Sequence, residues 1–282
     1  MVGRPLQNRN HGRKRVTIAK YFDPQRYARR LRRMRAMKSY DLPRIEAEEA
    51  AKFRALGLDP VAARPHLDAA LRSIGSAPYD DLKGTDSIHW LVFAALSLSP
   101  RAETIRDILE IGTFRGKTAL LLKTLFPRAQ VTTLDLPTSD PIMQQTYRRD
   151  TPEQLAEYRA TRDGRVNRDG ITFIEANSFF LPERAPGPFD LIWMDGGHLF
   201  PEVAWDFCNS WHACRSGGLL MCDDVIPDPR GSDAYASDES HKVISYLAAR
   251  TGITPTYLLK RRNPDWSADP VTRKFVAVLQ RP

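Results

Sequence analysis

From residue 107 onwards, short apolar runs alternate with longer segments of helical period. The runs fall at about 107–111, 130–135, 171–175, 189–194, 219–222, 253–259 and 274–279. Each is short, rich in Val, Ile, Leu or Phe, and bounded by polar or turn residues, which predicts buried strands. Helical patterns at 116–126, 152–161, 201–213 and 239–250 separate them. Strands joined through helices predict an α/β, doubly wound, mostly parallel seven-stranded sheet with helices on both faces. The last pair differs, because residues 260–273 carry no helical pattern. That connection predicts a hairpin, and so an antiparallel last strand.

The region before residue 107 reads differently. Tyr27, Leu31 and Met34 share one helical stripe from Pro24 onwards, surrounded by arginines. A second helix is expected over 43–56, closed by Gly57. Asp59-Pro60 has the form of an N-cap followed by proline, opening a helix that ends near Gly75. Residues 76–84 form a linker, and Thr85 or Asp86 is positioned to cap a further helix over 87–96. The chain thus divides into a basic tail at 1–40, an N-terminal helical extension at 41–84 and an α/β domain at 85–282. No internal repeat is visible. The 33 residues between Leu136 and Gly170 exceed what a simple crossover needs, which leaves a lid or an ordinary longer helix and loop.

The stretch Asp107-Ile-Leu-Glu-Ile-Gly-Thr-Phe-Arg-Gly-Lys-Thr118 joins the first run to its helix through a tight glycine turn. Such a turn lets a ligand approach the backbone beside a helix N-terminus. Its two glycines, Gly112 and Gly116, do not make G-x-G-x-x-G, and Gly-Lys-Thr118 stands one residue too close for a phosphate loop. An acid before the first glycine, Glu110, and another ending the second strand, Asp135, suit S-adenosylmethionine (SAM) better. An inert turn is the plain alternative.

Glu-Ile-Gly-Thr-x-x-Gly resembles the first motif of class I SAM-dependent methyltransferases. Further on, Asp195-Gly-Gly-His-Leu-Phe200 with Val203 and Asp206, then Gly218-Leu-Leu-x-x-Asp-Asp224, resembles a subgroup that includes macrocin-type O-methyltransferases. The resemblance covers about residues 86–280. It implies that Gly112, Thr113, Phe114 and Gly116 face the methionine end of SAM and that Asp135 holds the ribose hydroxyls. It also implies that Asn177 and Ser178 lie at the adenine, where the family carries an Asp-Ser or similar pair. In metal-dependent members, acids at the positions of Asp195, Asp223 and Asp224 hold Mg2+. A further acid of that family is replaced here by Gly197, which leaves His198 or the metal to activate the acceptor. The plainer readings stay open: Asp195 as a helix cap, Asp223 and Asp224 as loop acids held by Arg230 or Lys242, and His198 as a packing residue. The implied acceptor is a hydroxyl of a small molecule such as a sugar or natural product. A non-catalytic SAM-fold protein is the alternative outside catalysis.

Charge changes the picture at one end only. Residues 1–38 hold thirteen Lys and Arg against a single acid, Asp23, while the whole chain is +8, so the remainder is net acidic. The tail suits an anionic surface, RNA or an acidic membrane, and RNA methylation is the second enzymatic reading. Residues 1–20 look too polar to fold alone. Three cysteines with no C-x-x-C pair, no long apolar run and no secretory signal point to a reducing cytoplasm. A homo-oligomer is among the assemblies open to such a chain.

Overall fold

The structure is a computed structural model and describes residues 24–145, 151–227 and 238–282. The element order is α1 (Pro24–Lys38), α2 (Leu42–Ala55), α3 (Pro60–Ser73), α4 (His89–Leu98), β1 (Asp107–Ile111), α5 (Lys117–Leu125) and β2 (Gln130–Asp135). Next come α6 (Pro141–Gln145), α7 (Pro152–Val166), β3 (Ile171–Glu175), α8 (Leu181–Arg184), β4 (Phe189–Met194) and α9 (Glu202–Ala213). The chain closes with β5 (Cys214–Val225), α10 (Glu239–Thr251), β6 (Thr256–Leu259), α11 (Pro264–Ser267) and β7 (Phe275–Gln280).

The seven strands form one sheet in the order β3-β2-β1-β4-β5-β7-β6. All neighbours are parallel except β7, which runs antiparallel to both β5 and β6. The hairpin expected at 260–273 is therefore present, with the short α11 inside it. The apolar runs are continuous because both faces of the sheet are covered. Successive residues alternate between faces: Leu191 and Trp193 join one hydrophobic cluster, Ile192 and Met194 the other. The first cluster also takes Phe53, Leu67 and Leu71, so α2 and α3 share the core of the sheet.

Capping follows the sequence in one place and departs from it in another. Asp59 accepts from the backbone N–H of Val61 at 2.8 Å and opens α3. Neither Thr85 nor Asp86 caps α4, whose N-cap is Ile88. The Asp86 carboxylate accepts instead from the Asp80 N–H at 2.9 Å, because the 76–84 segment is folded back as a structured loop. Asp81 is fully buried there and receives Arg262 at 2.6 and 2.8 Å.

Of the stripe read on α1, only Leu31 is half-buried. Tyr27 and Met34 are exposed, and contact is made through Arg32, which pairs with Asp269 at 2.8 Å, and Arg33, which pairs with Asp265 at 3.2 Å. The tail before Pro24 lies outside the described residues, as do Arg149 and Arg230.

Candidate active site

In a sheet of this order, β1 is the switch point: chains leave it towards β2 on one side and β4 on the other. The crevice beyond the carboxyl ends of these strands is where open α/β sheets bind ligands. The local sequence builds that crevice at β1. Gly112 takes φ +97 and donates its N–H to Leu134 O at 2.8 Å. A β-carbon on Gly112 would stand 2.3 Å from Asp195 O, so the turn after β1 lies directly against the residue that follows β4. A side chain at Gly112 would break this contact before it reached any ligand. Gly116 has φ +72 and is the N-cap of α5. Thr113 is buried, and its hydroxyl lies 2.6 Å from that of Thr133. Phe114 has φ +46 and keeps 43% of its surface exposed at the mouth of the crevice.

The inserted 136–170 segment contributes α7, which packs on this turn rather than hanging free. Tyr158 donates its hydroxyl to Phe114 O at 2.8 Å. Val166 would meet a β-carbon at Gly116 within 2.8 Å.

The acids of the crevice fall in different environments. Glu110 is 1% exposed and sits under the turn, where its carboxyl accepts from Thr133 Oγ1 at 2.5 Å. Burial raises its pKa well above the usual carboxylate range, and the nearby charges of Asp195 and Asp135 push the same way. Asp135, at the end of β2, accepts from the Phe114 N–H at 2.7 Å and from the Leu136 N–H at 2.8 Å. After β3, the Asn177 side chain accepts from the Phe179 N–H at 2.9 Å and caps a 3-10 turn, Ser178–Phe180. Ser178 Oγ accepts from Trp205 Nε1 at 3.1 Å. Exposed Phe179 and Phe180 extend from the same turn.

At the end of β4, His198 Nε2 lies 3.6 Å from Asp195 Oδ1, an ion-pair distance. Both side chains keep access to solvent at the crevice, 25% for His198 and 38% for Asp195. Packing raises the Asp195 pKa to about 6, helped by the charge of Asp223 and opposed by His198. For His198, packing favours the neutral form, but the carboxylates of Asp195, Asp224 and Asp223 outweigh it and the pKa rises. Of the two residues following in the motif, Val203 is buried and Asp206 is 3% exposed, its pKa pushed up to about 6 chiefly by burial.

Asp223 and Asp224 end β5, as the sequence predicts, and β5 pairs directly with β4. Among the described residues, their partners are two lysines that the sequence did not single out. Lys260 Nζ contacts Asp223 Oδ2 at 2.5 Å and also pairs with Asp224 Oδ1. Lys274 Nζ holds Asp224 Oδ2 at 2.6 Å. Lys242, one expected partner, pairs with Asp238 at 2.9 Å instead. Burial disfavours the Lys260 ammonium, but its two carboxylates more than offset this and raise its pKa. The site therefore does not fit the Mg2+ expected at Asp195, Asp223 and Asp224. A magnesium ion needs oxygens at about 2.0–2.1 Å, and the Lys260 ammonium already stands between Asp223 Oδ2 and Asp224 Oδ1, with Lys274 on the other Asp224 oxygen. Among the described residues, no group of three or more His, Cys, Asp or Glu is arranged to hold a metal.

One neighbour was missed in the sequence. His89 opens α4, is 5% exposed, and stacks on Trp193 with ring centroids 4.2 Å apart. Its Nδ1 lies 2.8 Å from Ser87 Oγ, and its Nε2 has no partner among the described residues. Burial lowers its pKa to about 3, which keeps the ring neutral. Its place at the start of an apolar helix gave no sign of this.

Residues 109–225 match a family model described as a methyltransferase domain. The matched stretch, fewer than half of the residues, is thus similar to a methyltransferase domain. The match spans β1 to the end of β5, the five strands whose ends hold every expected site residue. No curated protein matches the chain. Among solved structures, the chain is similar to cofactor-bound Rv0187 from MTB, at 20% identity and a TM-score of 0.49, over 85% of this chain and 97% of that one. It is also similar to an O-methyltransferase from Bacillus cereus in complex with SAH, at 18% identity and a TM-score of 0.48, over 77% and 91%. A third likeness is to the O-methyltransferase TomG from Streptomyces achromogenes, in complex with SAM, at 20% identity and a TM-score of 0.46, over 82% and 94%. Likenesses this distant speak for neither a substrate nor a mechanism.

Proposed function

We propose that the protein transfers the methyl group of SAM to a hydroxyl oxygen of a small molecule, with His198 as the base and Asp195 as its orienting partner. The observation that carries this reading is the contact between two loops. The turn at Gly112, the seat expected for the methyl donor, abuts the backbone of Asp195, whose side chain faces His198. Donor and base are thereby neighbours across one strand gap.

In this reading Gly112, Thr113, Phe114 and Gly116 border the methionine end of SAM, and Asp135 takes the ribose hydroxyls. Asn177 and Ser178, with the exposed rings of Phe179 and Phe180, border the adenine. Glu110 supports the turn from below through Thr133. SAM supplies a methyl group already activated on a sulfonium, so the protein must align it and deprotonate the acceptor. With Nε2 of His198 turned to Asp195, Nδ1 is the nitrogen left to accept the hydroxyl proton. The acceptor oxygen then forms a bond to the methyl carbon, the carbon–sulfur bond breaks, and its electron pair stays on sulfur. The products are a methyl ether, S-adenosylhomocysteine and a protonated His198. Residues 85–282 form the catalytic domain in this reading, with 41–84 a helical extension. RNA methylation is the weaker alternative, because the chain outside the tail is net acidic.

Calorimetric titration with SAM, S-adenosylhomocysteine and Mg-ATP tests the first half. SAM and its product should bind, and binding of Mg-ATP without SAM would refute the reading. A hydroxyl-acceptor screen with labelled SAM tests the second. His198→Ala should lower kcat by about 10²–10⁴-fold, the range of general-base catalysis, and leave SAM affinity in place.

A further inference from the structure

The carboxyl edge of the sheet carries a buried charge cluster among residues given no part above in methyl transfer. Asp223 is 2% and Lys260 6% exposed, so this pair is shut away from water. Asp224 adopts φ +55, a left-handed conformation uncommon outside glycine, though aspartate takes it more readily than most residues. Two lysines hold it. Lys260 pairs with one of its oxygens and Lys274, at 2.6 Å, with the other.

Both lysines are placed by the same piece of chain. Lys260 follows β6 and Lys274 precedes β7, and the Lys260 N–H donates to Lys274 O at 3.0 Å. On the other side, Lys260 O accepts from the Ile88 N–H at 2.9 Å, which ties it to the start of α4. The backbone that carries the ammonium is thus held from two directions. Two positive and two negative charges meet here. Three of the four carboxylate oxygens of Asp223 and Asp224 are engaged by an ammonium, and Asp223 Oδ1 is buried with no partner among the described residues. A second cation at coordination distance would face the Lys260 charge with no water to screen it.

We propose that Lys260 is a built-in cation that takes the place of a divalent ion at Asp223 and Asp224, so that acceptor deprotonation is left to His198 and Asp195 without a metal. The second half of this statement rests on the methyl-transfer reading, whereas the first stands without it. Lys260 is a positioning residue here. It neutralises Asp223 and Asp224, whose charges would otherwise crowd the Asp195–His198 pair, and it stands where a metal ion would have to sit between them.

Electron paramagnetic resonance of Mn2+ tests the proposal without any need for turnover. Wild-type protein should leave the free Mn2+ signal undiminished, and dialysis against EDTA should leave its melting temperature and SAM affinity unchanged. Wild-type protein that binds Mn2+ at micromolar concentration overturns the proposal. Lys260→Met keeps the length of the side chain and removes its charge. It should acquire Mn2+ binding, more so when combined with Lys274→Met, and Lys260→Arg should abolish that gain. A folded Lys260→Met protein that binds no Mn2+ also overturns it. If Lys260→Met does not fold, the wild-type titration decides. Failure of methyl transfer with every acceptor would count against the functional reading and leave these binding results standing.

Discussion

Single residues here owe their chemistry to what surrounds them more than to their type. Glu110 and Asp135 are both carboxylates near one turn, yet Glu110 is buried beneath it and raised in pKa, while Asp135 holds two backbone N–H groups at its mouth. His198 and Asp195 shift each other: the histidine restrains the rise of the aspartate, and the aspartate raises the histidine above its ordinary value of 6.5. This gives the reaction a pH signature. A base must be unprotonated to work, so kcat/KM should fall as pH drops through the raised pKa of His198. In Asp195→Asn the carboxylate that favours imidazolium is gone, so the acidic limb of the profile should move to lower pH. A pH–rate profile of both proteins checks it. An unmoved limb would mean that another group limits the rate at low pH.

At the scale of elements, the molecule is held together by connections that look like loose loops in the sequence. The segment between α3 and α4 reads as a linker, but Tyr79 is 1% exposed and Asp81 is fully buried within it. Arg262, in the connection between β6 and β7, binds Asp81 through two nitrogens, reaches Glu46 on α2 at 2.7 Å, and accepts Tyr40 Oη on its carbonyl at 2.7 Å. One residue therefore joins the helical extension to the hairpin that carries Lys260 and Lys274. Arg262→Ala leaves the Asp81 carboxylate buried without its partner. The expected loss of stability is about 3–5 kcal/mol, the usual cost of breaking a buried pair from one side. Urea denaturation followed by circular dichroism measures it, and a loss below about 1 kcal/mol would show the pair to be weakly coupled.

At the scale of the whole molecule, charge is separated along the chain, with a basic end attached to a net acidic body. The described part of that end, α1, is anchored by ion pairs to Asp265 and Asp269 and leaves Tyr27, Met34 and Met37 exposed among its arginines. These features fit an anionic partner surface, RNA or an acidic membrane, as a proposal separate from catalysis. Deleting residues 1–38 should remove binding to acidic vesicles or RNA and leave methyl transfer within a few-fold of wild type. Binding of the intact chain should weaken steeply with salt. Vesicle and RNA binding that survives the deletion would refute this role for the tail. Among the described residues, no helix is long and apolar enough to cross a membrane.

What the sequence determined by itself was local or periodic. Strand and helix positions follow from apolar spacing, the sharp turn from Gly112 and Gly116, and the antiparallel last strand from a connection with no helical pattern. The order of acids along the chain also places Asp135, Asp195, Asp223 and Asp224 at strand ends, because each stands where an apolar run stops. Which charge meets which was decided by tertiary structure alone. Asp223 lies 37 residues from Lys260, and Asp81 lies 181 residues from Arg262. The insertion of antiparallel β7 between β5 and β6 is what makes the first meeting. Reversing β7 brings its start, beside Lys274, to the same edge as the ends of β5 and β6, and so sets two lysines against two aspartates. Sequence spacing carries no record of such pairings, since they depend on strand order and direction. Their energy comes from burial, which exists only once the sheet and its helices have closed.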